Sequence, residues 1–103
     1  MSTEMDTKID HDIEEMLDSI VKKQLAKRLV LFNDDGHDML SVMRAVVSAR
    51  EAGGQPCTPE AAYDIMMEAH TKGQGVVMSG TIENLKKAQA VLEGIELRTD
   101  IID

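Results

Sequence analysis

Asn33-Asp34-Asp35-Gly36 gathers a carboxamide, two carboxylates and a turn-forming glycine in four consecutive residues. Three chemistries suit that set: a calcium loop, a turn whose side chains satisfy their own backbone, or a rim of acceptors for a cationic group. Calcium fails on spacing. With Gly36 in the glycine position of an EF-hand loop, Leu31 would be the first ligand and Val42 the last. His11, His37 and His70 are scattered and form no i, i+4 pair, so no metal site is expected. The lone Cys57 excludes an internal disulfide and a cysteine-based zinc site. It lies in a Gly/Pro loop with no indicated base, and no Walker loop, GxSxG or HExxH motif occurs. The expectation is a protein that is not an enzyme and carries no cofactor.

The elements around these residues follow from periodicity and punctuation. Arg28-Leu-Val-Leu-Phe-Asn33 is short and β-rich, a strand that stops at the polar cluster. Asp38 can cap a helix running to about Ala52, with Met39, Val42, Met43, Val46 and Val47 on one face. Gly53-Gly54-Gln55-Pro56 ends it. Thr58-Pro59-Glu60 starts a second helix with a capping Thr, Pro at the first helical position and Glu in the first turn. That helix turns Ala62, Ile65, Met66 and Ala69 inward and closes at Gly73, which places His70 in its last turn. Gln74–Ser79 reads as a strand and Thr81–Glu93 as a third helix, with Ile82, Leu85, Ala88, Val91 and Leu92 inward. After Gly94, the alternation of Ile95, Leu97, Thr99 and Ile101 predicts a last strand. The order is β-α-α-β-α-β: an α+β sandwich with three helices on one face of a three-stranded antiparallel sheet.

Residues 1–24 form a separate segment before the domain at 25–103. Ile9, Ile13, Met16, Leu17, Ile20 and Val21 recur at helical spacing among acidic residues, which predicts an amphipathic arm, partly helical or mobile. The chain has 103 residues, enough for one core, and almost no aromatics to fill it: one Phe, one Tyr and no Trp. Eight Met share the core and can also form an adaptable binding wall. A net charge of −8 and the lack of stacking aromatics argue against nucleic acid. No stretch approaches the roughly 20 apolar residues of a membrane span. The acidic start is neither a signal nor a transit peptide, so the cytoplasm is expected.

Leu31-Phe32-Asn33-Asp34-Asp35, then Met39 and Val42, then Met66-Met67-Glu68-Ala69-His70-Thr71-Lys72-Gly73, resemble the ClpS family over roughly residues 28–103. Those adaptors recognise proteins by a bulky apolar N-terminal residue and deliver them to the Clp ATPase. The element order derived above is that family's order. The resemblance implies that Asn33, Asp34 and His70 hold the α-amine of the N-terminal residue. It also implies that His37, Met39, Val42, Met66 and Ala69 line or border the pocket for its side chain. The resemblance further implies that Asp35, Gly36, Glu83 and Lys87 fall on the surface turned toward the ATPase. Its implied partners are therefore a Clp-type ATPase and the N-terminal segments of substrates, bound by a monomer.

The chain also departs from the family pattern. Between the Asn-Asp-Asp turn and Met39 the family usually carries an aromatic-Thr-Pro sequence; Gly36, His37 and Asp38 stand here. Ala69 replaces a common Val, which enlarges the pocket. A second resemblance runs over Glu83–Gly94, which is similar to the third helix of the ribosomal stalk protein's C-terminal domain. That alternative implies an interaction domain of the same fold without N-terminal recognition.

Overall fold

The computed structural model describes residues 26–103 together with Ile13, Glu15 and Met16, three exposed helical positions. The expected arm otherwise lies outside the described residues. Six elements follow one another: β1 (Lys27–Phe32), α1 (Met39–Ala52), α2 (Pro59–Lys72), β2 (Gln74–Gly80), α3 (Ile82–Glu93) and β3 (Thr99–Ile102). Three helices pack on one face of a three-stranded sheet of order β2-β1-β3, with both pairings antiparallel. The predicted α+β architecture is the observed one.

The central strand explains the consecutive apolar run in β1. Leu29, Val30 and Leu31 are all buried, and Leu29 and Leu31 face the helices. Opposite them β2 is bulged. Leu29 pairs with Met78 but Val30 with Val76, which leaves Val77 as the extra residue. Strict alternation would send Val77 and Met78 to opposite faces; the bulge lets both enter the same core. Val46 and Ala49 of α1, Ala62 of α2, and Leu85, Ala88 and Leu92 of α3 complete that core.

Helix ends are set locally. Asp38 accepts a hydrogen bond from Ser41 N (2.8 Å), Thr58 Oγ1 from Ala61 N (3.2 Å) and Thr81 Oγ1 from Asn84 N (3.3 Å). Gly73 closes α2 in the left-handed conformation at φ 87°, its N–H donating to Ala69 O, a geometry in which an L side chain is strained. Removing a cap has a bounded effect. Thr58→Ala is expected to lower stability by about 1 kcal/mol, read as a lower urea midpoint at an unchanged m-value.

Three expectations need correction. The predicted last strand from Ile95 starts only at Thr99, because Glu96 takes φ 64° and turns the chain out of extended geometry. Leu97 N instead bonds back to Leu92 O (3.1 Å), and Leu97 is buried ahead of the strand. Ile82, expected inward, is 47 % exposed at the first position of α3. On α1 the buried stripe is Val42, Ala45, Val46 and Ala49, whereas Met39 is 54 % exposed and Met43 and Val47 only flank the core. Close approach of α2 and α3 favours the small alanines along that line over the larger side chains beside it.

Candidate functional site

Backbone bonds at the end of β1 build the site. Phe32 N donates to Arg98 O and Asn33 N to Gly73 O, each at 3.0 Å. These bonds hold the β1–α1 turn between the C-terminus of α2 and the segment entering β3. Asn33 is thereby tied to the end of the helix that carries His70, residues far apart in the chain.

Asp34 organises the turn. Its Oδ1 accepts from Gly36 N (2.6 Å) and His37 N (3.1 Å), an Asx turn that uses one carboxylate oxygen. The other oxygen, Oδ2, stands 3.0 Å from His37 Nδ1. This is an ion-pair separation without the alignment of a straight hydrogen bond, and Nδ1 is closed off from solvent. His37 Nε2 approaches Ile95 O at 2.5 Å, bridging to the turn after α3. The His37 imidazole beside Asp34, followed by the Gly36 N–H, lowers the Asp34 carboxyl below its ordinary range. The Asp34 carboxylate in turn raises His37; partial desolvation opposes this, and the Ile95 carbonyl and Glu96 add to the rise.

Beside this turn lies a cavity of about 140 Å³. Leu31 from β1, Val42 from α1, Met66 and Ala69 from α2, and Leu97 form its buried apolar wall. Met39 and Met67 flank it with flexible side chains. The polar members are Asn33, Asp34, His37 and His70. His70 is exposed and the other three half-buried, whereas the fully buried members of the lining are all apolar.

All eight residues expected at an N-terminal-residue site therefore line one cavity: Asn33, Asp34, His37, Met39, Val42, Met66, Ala69 and His70. His37 has a further contact, since its ring is engaged by Asp34 and Ile95. Sequence reasoning missed Leu31, Phe32, Met67 and Leu97. Leu31 was open to inference, standing two residues before Asn33 on a strand. Leu97 carried no such signal, because its place depends on how the chain leaves α3. Of the residues expected to face a partner, Asp35 and Gly36 are exposed in the β1–α1 turn. Glu83 and Lys87 are exposed one turn apart on α3 and do not line the cavity. No group of three potential metal ligands occurs among the described residues, and no described helix is long and apolar enough to cross a membrane.

Residues 22–98 match the family described as ATP-dependent Clp protease adaptor protein ClpS. The chain belongs to the ClpS family. Its fold is similar to a solved structure of Agrobacterium tumefaciens ClpS2 bound to L-phenylalaninamide, with a TM-score of 0.57 and 18 % identity. That likeness covers 74 % of this chain and 95 % of the ClpS2 chain. Comparison with curated protein sequences gives no match. The family match runs from before β1 to Arg98 and so contains the whole cavity and its polar rim.

Proposed function

We propose that this ClpS-family chain is an adaptor that binds the free N-terminus of proteins with a bulky hydrophobic first residue. It then hands them to a Clp-type ATPase for degradation. The observation that carries the reading is one cavity with a buried apolar lining and, in the same lining, the more accessible polar side chains Asn33, Asp34 and His70.

The two halves of that site match the two halves of an N-terminal residue. An α-amino group titrates near about 7.7–8.0 and is therefore largely cationic at neutral pH. Taking it out of water requires acceptors, and an anionic one most of all. Asp34 supplies the charge, while the Asn33 carboxamide and the His70 imidazole supply direction. Below them, burying a Leu or Phe side chain against Val42, Met66, Ala69 and Leu97 contributes roughly 1.5–3 kcal/mol. L-phenylalaninamide, the ligand of the ClpS2 structure, unites a free α-amino group with a bulky apolar side chain. Its composition supports the same division of labour here.

Delivery requires a surface turned toward the ATPase. Asp35 and Gly36 in the turn and Glu83 and Lys87 on α3 are exposed and outside the apolar floor, so a partner can reach them while the cavity is filled. In this reading the protein works in the cytoplasm as a monomer.

Fluorescence anisotropy with labelled peptides beginning in Phe, Leu, Trp or Ala, each also N-acetylated, tests the recognition step. The expected result is binding to bulky free N-termini that acetylation weakens by about a hundredfold, since the rim is then buried against a neutral amide. Equal binding of free and acetylated peptides would leave the cavity without its amine-recognition role.

A further inference from the structure

We propose that His37 is a built-in competitor for the amine site: its imidazolium occupies the Asp34 carboxylate when the site is empty, and a substrate ammonium binds with loss of that proton. The inference rests on the N-terminus-binding role proposed above and adds a proton linkage to it.

Two contacts of one ring carry the argument. Ile95 O, 2.5 Å from Nε2, is a carbonyl and can only accept, so Nε2 holds a hydrogen. A neutral imidazole then leaves Nδ1 unprotonated and electron-rich, 3.0 Å from the Asp34 carboxylate. Nδ1 is closed off from solvent, so water cannot relieve the clash. A doubly protonated ring keeps the Nε2–H for the Ile95 carbonyl and sets a positive charge at ion-pair distance from the Asp34 carboxylate. The raised pKa of His37 and the lowered pKa of Asp34 agree with this geometry.

Asp34 has little left to offer a second cation. Oδ1 already accepts two backbone N–H groups, and Oδ2 faces the imidazolium. An arriving ammonium places another positive charge in the same cavity, which disfavours the charged ring. The ring gives up its proton, or the ammonium binds more weakly. The charged and titratable groups around His37 are Asp34 from its own turn and Glu96 from the α3–β3 turn, with His70 lining the cavity from α2. Both carboxylates favour the protonated ring.

The sign follows directly. At low pH His37 is charged and competes, so affinity for an N-terminal ammonium is weak. Affinity rises as pH rises through the His37 pKa, and falls again above about pH 8, where the peptide amine loses its own charge. The contribution of His37 is read at its own ring.

The decisive experiment follows the assigned imidazole resonances of the full chain by NMR across pH, alone and saturated with a Phe-initiated peptide. Peptide affinities of wild type and His37→Asn are measured by anisotropy over the same range. Free His37 is expected to titrate above the ordinary histidine value and to shift down when the peptide binds. His37→Asn is expected to bind the peptide about fivefold or more tightly than wild type near pH 6, each unit of pKa shift corresponding to about tenfold in affinity, and to lose the advantage near pH 8. A His37 titration unmoved by the peptide overturns the proposal, as does a wild-type-to-variant ratio constant with pH; in both cases the amine site itself stands. Failure of every free N-terminal peptide to bind at any pH removes the site reading and this linkage together. Should His37→Asn fold poorly, the wild-type ring titration decides alone.

Discussion

Asp34→Ala is expected to abolish measurable binding of Phe- or Leu-initiated peptides, and Asp34→Asn to weaken it by about ten- to a hundredfold. The magnitude is that of a charge-assisted hydrogen bond lost from a partly desolvated site, about 1.5–3 kcal/mol. The two variants separate charge from scaffold. Asp34 Oδ1 holds the N–H groups of Gly36 and His37, so Ala removes the turn's internal support along with the anion. Asn keeps an acceptor oxygen for those groups, removes the charge and turns an NH2 toward His37 in place of Oδ2. Anisotropy on both proteins, with circular dichroism to verify the fold, gives the comparison. Wild-type affinity in Asp34→Ala would show that the carboxylate serves the turn alone.

Gly75→Ala is the second large effect, and it acts on stability. A Cβ at Gly75 would stand 2.6 Å from Ile65 O and 3.0 Å from Ala69 N, both backbone atoms of α2. Backbone of a packed helix does not yield as a side-chain end does, so β2 and α2 must separate. The expected destabilisation is roughly 2–4 kcal/mol, read from urea denaturation midpoints. The neighbouring Gln74 is exposed, and Gln74→Ala is expected to stay within about 0.5 kcal/mol of wild type. Because α2 carries Ala69 and His70, the Gly75→Ala protein should also lose peptide affinity even at temperatures where it remains folded. Unchanged stability would mean that the β2–α2 spacing is looser than these distances imply.

The turn after β1 shows how a departure from a family pattern acquires meaning. Gly36-His37-Asp38 stands where ClpS sequences usually carry aromatic-Thr-Pro. Asp38 still caps α1 through Ser41 N, and that bond lowers its carboxyl pKa, so the helix start survives the change. Gly36 contributes a backbone N–H to Asp34 and no aromatic surface toward a partner. His37 gains contacts to Asp34 and Ile95, which place a titratable ring on the carboxylate proposed to accept the amine.

Much of this protein was determined by the sequence through interactions within four residues along the chain. Asp38, Thr58-Pro59, Gly73 and Thr81 set the helix ends because a cap bonds to backbone three or four positions away. The run Leu29-Val30-Leu31 marked a covered strand, and the Asn-Asp-Asp turn with the downstream Met66 and His70 marked the site through its family resemblance. Tertiary structure alone decided the rest. The exposure of Ile82 and Met39, the bulge that turns Val77 and Met78 together, and the contact of Gly75 with α2 depend on where distant elements come to lie. The same holds for Leu97 in the cavity wall and the Ile95 carbonyl on His37, which arrive from the far end of the chain. Hydrophobic burial is non-directional, so a periodic pattern names the buried side of an element without naming its neighbour. The neighbour is chosen by close packing of the whole core, and here that packing completes the site.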